Sequence, residues 1–366
     1  MRAWQISRFG IESLEFVERP TPTPGPGEVL VGIHAISFNF RDLLMVRGQY
    51  NPHMILPRIP CSDGAGEVVA VGEGVSAWKP GDRVVGIFMQ NWLEGPLTPA
   101  RAKGALGGDI DGMLADYVVL SEDGLVAIPD HLSYQEAATL PCAAVTAWNA
   151  LAAGNLKPGD TVLILGTGGV SIFALQLARM MGMRVLGISS SYEKLQRAIG
   201  LGLDKGLNYR DHPDWDRWAV EQTGGEGVDL VVEVGGSGTF GRSLRSLRMG
   251  GTVAQVGVLS EGSDPLPIPT ILHKSLRIQG IYVGSRQDFI EMNKAISYNQ
   301  LQPIGEDFHW TQAKEVLAKM ARRLMIMNLN MIMVEVRWYF LEFAIAGSIF
   351  VWVEYYRFNI VLRRLS

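Results

Sequence analysis

Apolar and polar positions alternate differently in the two halves of the chain. Up to about residue 125, short apolar runs are broken by Pro/Gly turns. Pro24-Gly25-Pro26-Gly27 precedes Glu28-Val29-Leu30-Val31-Gly32-Ile33, Gly66 to Val71 precedes Gly72-Glu73-Gly74, and Lys79-Pro80-Gly81-Asp82 leads into Arg83 to Ile87. Short strands at this spacing predict a twisted antiparallel barrel or sandwich. Trp92 to Gly112 is rich in Gly and Pro, has little periodicity, and reads as a surface loop. His131 to Ala153 is helical in pattern, with small apolar residues from Leu140 to Trp148, and bridges to a second region. There Val162 to Leu165 form an aliphatic run bounded by turn residues, the pattern of a buried parallel strand. Gly166-Thr167-Gly168-Gly169-Val170-Ser171 follows at once. Phe173, Ala174, Leu175, Leu177, Ala178 and Met181 then mark an apolar helix, and Met183 to Ile188 the next strand.

Strand, glycine turn, helix, strand is the opening βαβ unit of a dinucleotide-binding domain. Gly166 can make the tight turn, and Gly168 leaves room for a pyrophosphate. The free N–H groups where Gly169 and Val170 open the helix can hold phosphate. Ser171 stands where the fingerprint has its third small residue. The GxxxxGK[ST] pattern of a P-loop is absent. Val228 to Val234 and Thr252 to Val256 read as further strands, each followed by glycine: Gly235-Gly236 and Gly257. Such glycines let a cofactor lie close to the strand ends. Ile278 to Val283 reads as a strand running into Gly284-Ser285-Arg286, where Arg286 is either a phosphate contact or a helix-start surface residue.

The second strand of the βαβ unit ends Ser189-Ser190-Ser191, where a site selective for NAD would place an acid against the ribose 2′-hydroxyl. Hydroxyls together with Lys194 suit a 2′-phosphate, so NADPH is the expected cofactor. Glu193 dissents, but it lies beyond the strand end. Arg210 could add charge or be an ordinary surface residue.

Composition narrows the partners. Lys plus Arg total 33 against 37 Asp plus Glu in 366 residues, which gives no argument for nucleic acid. Two cysteines, Cys61 and Cys142, exclude a disulfide scaffold and a four-cysteine zinc site. Met1-Arg2-Ala3-Trp4 leads directly into strand-like sequence without a secretory core, so the cytoplasm is the expected location.

Several motifs together carry a resemblance. They are Asn39-Phe40-Arg41-Asp42, Pro60-Cys61-Ser62-Asp63-Gly64-Ala65-Gly66-Glu67-Val68, Gly72-Glu73-Gly74-Val75, Leu140-Pro141-Cys142, Thr146-Ala147-Trp148, Gly166 to Ser171, Leu203 to Tyr209, and Val228 to Val231. Over residues 1 to about 320 the chain resembles the zinc-independent medium-chain dehydrogenases/reductases, the branch with quinone and enoyl reductases. The resemblance implies an α/β plus all-β fold. A GroES-like barrel (1–125) precedes a doubly wound Rossmann sheet (126–270), a segment returning to the barrel (271–320) and an atypical tail (321–366). The substrate cleft would lie between the domains. It further implies that Cys142 and Thr146 lie in the cofactor site, with Cys142 beside the nicotinamide. The Gly284 turn would sit near the nicotinamide end, and Lys194 and Tyr209 would face the 2′-phosphoribose.

In zinc-dependent relatives the metal ligands fall at Asn39, Ser62, Asp63 and Cys142. This is a poor set for an ion that wants thiolate or imidazole. A site from Cys61, Cys142 and His53 is the remaining zinc arrangement. Asp42 either orients Arg41 and the local backbone or is a solvated turn acid. Without a metal, oxidising a simple alcohol is hard. Delivering hydride to a quinone or an α,β-unsaturated carbonyl is easier, because charge spreads into a phenolate or enolate that oriented donors can hold. Asn39 and Ser62 are the candidate donors. Tyr50 is either a cleft residue and proton donor or a packed loop aromatic. The alternatives are a zinc-dependent alcohol or aldehyde dehydrogenase and a non-catalytic NADP(H)-binding redox sensor. The expected partner is a small-molecule electrophile, and a homodimer is compatible.

After Met320 the composition changes. The resemblance leads one to expect a Gly-Lys turn and a final Val/Ile strand. The chain instead reads Ala321 to Val334, then the aromatic-rich Trp338 to Tyr356. The expectation is that the return strand is missing. The stretch 338–356 approaches membrane-spanning length, but Glu342 and Glu354 lie inside it. Weak membrane association through this tail is the alternative to a poorly packing, non-native end.

Overall fold

The computed structural model describes residues 1–259, 266–323 and 330–334. β1 (Arg2–Ile6) and β2 (Leu14–Glu18) form an antiparallel pair. β3 (Glu28–Phe38), α1 (Phe40–Val46), β4 (Asp63–Val71), β5 (Arg83–Gly86), β6 (Tyr117–Ser121) and β7 (Leu125–Ala127) build the barrel. β3 is its spine and pairs antiparallel with both β4 and β6. Val29, Val31 and Ile33 alternate along β3 and are buried in the barrel core with Trp4, Ile6 and Leu14.

The segment from 92 to 112 is a surface loop over 93–104, as its composition suggests, but its two ends are buried. Leu106 is fully buried, and Trp92 and Ala105 join the core. Its glycines allow this. A Cβ on Gly112 would lie 2.1 Å from the Cys61 carbonyl oxygen, so only glycine lets the two backbones approach.

α2 (Tyr134–Ala138), a π-helical turn at Leu140–Ala144 and α3 (Val145–Ala153) lead to the second domain. Pro141 lacks an N–H and cannot continue a regular α ladder, which accounts for the wide turn. β8 (Thr161–Leu165), α4 (Gly169–Met180), β9 (Arg184–Ser189), α5 (Tyr192–Gly200) and β10 (Lys205–Asn208) follow. Next come α6 (Trp215–Gln222), β11 (Val228–Glu233), α7 (Ser237–Ser246), β12 (Leu247–Gln255), α8 (Ile268–His273) and β13 (Arg277–Gly280). The parallel sheet has the order β10-β9-β8-β11-β12-β13, the doubly wound arrangement whose direction reverses between β8 and β11. It takes in Arg277–Gly280 and so runs past residue 270. Val162 and Ile164 face one core, Leu163 and Leu165 the other. That is why the whole run is apolar.

α9 (Arg286–Asn299), β14 (Gly305–His309), α10 (Ala313–Arg323) and β15 (Asn330–Val334) return to the barrel. The return strand expected to be missing is present: β15 pairs antiparallel with β3, from Met331 opposite Phe38 to Val334 opposite Ala35, and parallel with β14. Met331-Ile332-Met333-Val334 lacks the usual Val/Ile-rich wording, but unbranched methionine can also fill a core-facing strand position, and Met333 is 1% exposed. The aromatic stretch 338–356 lies outside the described residues. Among the described residues no helix is long and apolar enough to cross a membrane.

Candidate active site

Three elements meet at the start of α1: the end of β3, the segment entering β4, and the π-helical turn. Asp42 is fully buried at the first turn of α1, so it is not a solvated acid. Its carboxylate accepts from the Asn39 backbone N–H (2.7 Å) and from Arg41 Nη1 (3.3 Å). Burial raises its pKa, and Arg41 and the Asn39 and Ser62 backbone partly offset this. Asp63 is also fully buried. Its Oδ1 accepts from Ser62 Oγ at 2.6 Å, and its Oδ2 accepts from the Cys142 backbone N–H at 2.9 Å. Burial pushes the Asp63 carboxyl up to about 7, against the Ser62 hydroxyl, while the charge of Asp42 adds to the rise. The Asn39 side-chain amide lies close enough to favour the charged form of Asp63, yet Nδ2 is buried without a completed hydrogen bond.

These contacts decide what the group can hold. The family of zinc enzymes would require ligands here, and the donor set does not fit. Ser62 is a neutral hydroxyl already donating to Asp63. Both Asp63 oxygens are engaged, and Asn39 presents N–H. Cys142 offers the one thiol of the set, and a single thiolate is too few for an ion that takes three or four such ligands. Among the described residues no group of three His, Cys, Asp or Glu side chains could hold a metal ion.

Arg41 lies above this acidic pair, 8% exposed. Its Nη1 donates to the Leu106 carbonyl at 2.7 Å, and its Cζ stands 4.7 Å from the Phe88 ring centroid and 5.6 Å from that of Tyr50. Tyr50 is 41% exposed, and its hydroxyl lies 3.1 Å from that of Tyr282, beyond the end of β13. Burial and the Tyr282 hydroxyl push the Tyr50 phenol well above its ordinary pKa. The Gly284 turn follows Tyr282. Val283 takes φ +57°, a strained value for a β-branched residue, and its carbonyl accepts from Asn149 Nδ2 at 2.8 Å. A Cβ on Gly284 would lie 2.2 Å from that same Asn149 nitrogen. Asn149 sits one helical turn beyond the buried Thr146. Arg286 is tied into the barrel, its Nε donating to the Leu125 carbonyl at 3.0 Å and its backbone N–H to Trp92. It thus clasps this helix start onto the barrel.

At the glycine turn before α4, Gly166 has φ +71°, with open space where a Cβ would be. No side chain caps α4 at Gly168. Both facts fit a pyrophosphate on the N–H groups of Gly169 and Val170. Ser171 is buried and donates to the Leu165 carbonyl at 2.7 Å, which fastens α4 to β8. At the end of β9, Ser189 is 2% exposed and its carbonyl accepts from the Tyr209 N–H at 3.0 Å, which brings those two residues together. Ser190 is half-buried, Tyr209 is exposed, and Lys194 is 5% exposed on α5. Glu193 is turned to solvent and pairs with Arg197 at 2.9 Å. A Cβ on Gly257 would lie 2.1 Å from the Val234 carbonyl oxygen.

Sequence reasoning missed Glu233. It is fully buried at the end of β11 and accepts from the Gly235 and Gly236 N–H groups, Thr239 and Ser243. An acid closing an otherwise apolar strand before Gly-Gly was its signal. Asn149 and Tyr282 gave no comparable signal.

The family models for an alcohol dehydrogenase GroES-like domain and a zinc-binding dehydrogenase match residues 25–130 and 169–297. The chain is 43% identical over 315 residues to a zinc-type alcohol dehydrogenase-like protein of Schizosaccharomyces pombe, covering 84% of this chain and 91% of that one. The chain belongs to the medium-chain dehydrogenase/reductase superfamily. Within this superfamily it is also similar to an acryloyl-coenzyme A reductase of Metallosphaera sedula, at 30% identity over 80% of this chain and 88% of that protein. A crystal structure of a provisionally named alcohol dehydrogenase from Sinorhizobium meliloti 1021 superposes with a TM-score of 0.85 at 37% identity, covering 91% of this chain and 98% of that one. With the superfamily fold and a donor set unfit for zinc, the protein is a zinc-independent, NAD(P)(H)-linked oxidoreductase.

Proposed function

We propose that this superfamily member reduces quinones or α,β-unsaturated carbonyl compounds with NADPH. The observation that carries the reading is the Asn39–Ser62–Asp63–Cys142 cluster, where the Ser62 hydroxyl and both Asp63 oxygens are engaged in hydrogen bonds and only one thiol remains among the other groups. NADPH, when bound, supplies the hydride. The chain's residues do the rest. Gly166, Gly168, Gly169 and Val170 receive the pyrophosphate. Ser189, Ser190, Lys194 and Tyr209 surround the 2′-phosphoribose, and β9 itself ends in serine where an acid would oppose a phosphate. Cys142, Thr146, Gly257 and Gly284 bound the nicotinamide end, and the Asn149 bond to Val283 holds that turn in place. Asn39 Nδ2, buried without a partner, is the donor for the acceptor oxygen. Ser62 positions Asp63 and is not itself the donor, since its proton is committed. Tyr50 lines the cleft.

The name of the acryloyl-coenzyme A reductase supports reduction of a conjugated double bond, whereas the alcohol dehydrogenase names support the competing chemistry. A panel of quinones, enones, enoyl thioesters, aldehydes and alcohols with stereospecifically deuterated NADPH tests the reading. Deuterium at the β carbon of an enone, or turnover of quinones, supports it. Turnover of aldehydes and saturated alcohols alone rejects it. Asn39→Ala should lower kcat more than it weakens NADPH binding.

A further inference from the structure

Buried polar atoms without partners are few in folded proteins, and each calls for an explanation. Two of those here lie close together in the chain at the start of α1: Asn39 Nδ2 and Arg41 Nε. Arg41 is the more demanding case. Its charge is more than nine-tenths buried, and its carboxylate neighbour Asp42 is already shared with the Asn39 backbone. Structural duty accounts for Nη1, which binds Leu106 and Asp42. It does not account for Nε. The guanidinium is also flanked by aromatic rings, Phe88 at 4.7 Å and Tyr50 at 5.6 Å, with Tyr282 packed edge-on to Phe88 at 6.3 Å. Tyr50 and Tyr282 are 41% exposed each and form the solvent-facing part of this wall, with Phe88 and Nε closed behind them until a ligand parts the rings. A planar cation with an unused donor beside flat rings suits a flat, conjugated molecule that carries negative charge on an oxygen.

We propose that Arg41 is a substrate-binding residue that holds the oxygen of a planar conjugated acceptor through Nε, with Phe88, Tyr50 and Tyr282 selecting for flatness. This deepens the reading of the site as a reductase of enones or quinones and rests on it. The charge that gathers on the acceptor oxygen as the double bond is reduced would face a buried guanidinium as well as the Asn39 amide. A saturated, non-planar carbonyl compound would gain less from the same wall.

The test is binding, separate from turnover. The purified full chain is titrated with para-nitrophenolate, a planar oxyanion, and with nitrobenzene, its uncharged counterpart, at a pH where the phenol is ionised. Wild type should bind the phenolate about tenfold more tightly than nitrobenzene, the scale of one charge-assisted hydrogen bond. Arg41→Met should bring the two affinities together. Should Arg41→Met fail to fold because Asp42 is left buried alone, Arg41→Lys keeps the charge but loses the planar donor, and it should cut the preference severalfold. A purely structural arginine would leave the phenolate-to-nitrobenzene ratio unchanged in whichever variant folds, and that result overturns the proposal. Turnover separates the two readings. An enzyme active on enones with an Arg41-independent ratio loses this inference alone. An Arg41-dependent ratio in a protein that reduces neither enones nor quinones keeps the binding site and rejects the proposed reaction.

Discussion

The hydroxyls of Tyr50 and Tyr282 stand 3.1 Å apart, one carried by the barrel after α1 and the other by the turn after β13. The contact joins the two walls of the cleft at the turn where Val283 is held in a left-handed conformation. Burial and the neighbouring hydroxyl both favour the protonated phenol of Tyr50, which makes it a reluctant acid and a good latch. We expect Tyr50→Phe and Tyr282→Phe each to change kcat less than tenfold and to raise the KM of the acceptor. The double variant should add little, giving a coupling of about 0.5–1.5 kcal/mol. A loss of about a hundredfold or more in kcat for Tyr50→Phe alone would instead mark it as the proton donor.

The latch also shows what the sequence could and could not disclose. Both domains, their order and the glycine turn were legible because period-two alternation and the βαβ pattern are local signals. Asn39, Ser62 and Cys142 were legible as a group only through the resemblance. Their actual relation, with Asp63 bonded to both Ser62 and the Cys142 backbone, depends on β4 meeting the π-helical turn. The pairing of Tyr50 with Tyr282 spans 232 positions and leaves no trace in spacing. The bond from Arg286 Nε to the Leu125 carbonyl spans 161 positions and is equally invisible to spacing. The return strand is obscure in sequence because Met331 to Val334 is only a short apolar run, rich in methionine and unlike the residues expected there.

Cofactor preference should follow the end of β9. Ser189 is buried there beside Tyr209, and Glu193 is engaged with Arg197. We expect tighter binding of NADPH than of NADH by fluorescence quenching. Ser189→Asp should move the preference toward NADH by about 1–3 kcal/mol, since a carboxylate would face the 2′-phosphate. Equal affinities in the wild type would dismiss the assignment.

Asp63 should leave a mark on stability against pH. Its folded pKa is about 7, above the ordinary carboxyl value of 3.8. The native state therefore keeps a proton that the unfolded chain releases between those values. Its contribution is complete below pH 3.8 and falls as pH rises to about 7, then levels off. The full difference is of order 4 kcal/mol at most. Asp63→Asn has no such titration. We expect chemical denaturation to show the wild type losing stability relative to Asp63→Asn between pH 4 and 7, measured at matched ionic strength. Parallel curves would mean that Asp63 ionises normally in the folded protein.

The end of the chain carries a further expectation. β15 lies between β3 and β14, so removing it leaves the Ala35–Phe38 end of β3 without its partner and cuts β14 from the sheet. It also exposes the barrel core at Met333, whose burial alone is worth about 1.5–3 kcal/mol. α10 depends on the same surface, because Ala313, Val316, Leu317 and Met320 pack into that core. Two truncations separate the contribution of the strand from that of residues 335–366. A chain ending at Arg323 lacks β15, and a chain ending at Val334 keeps it. We expect the shorter chain to lose several kcal/mol of stability and most turnover, and the longer one to match the full protein in melting temperature and NADPH oxidation. Met333→Asp in the full chain should resemble the shorter truncation, since it places a charge where the core is closed to water. If the two truncations behave alike, Asn330–Val334 does not complete the barrel in solution, and the barrel lacks its return strand, as the change of composition after Met320 suggests.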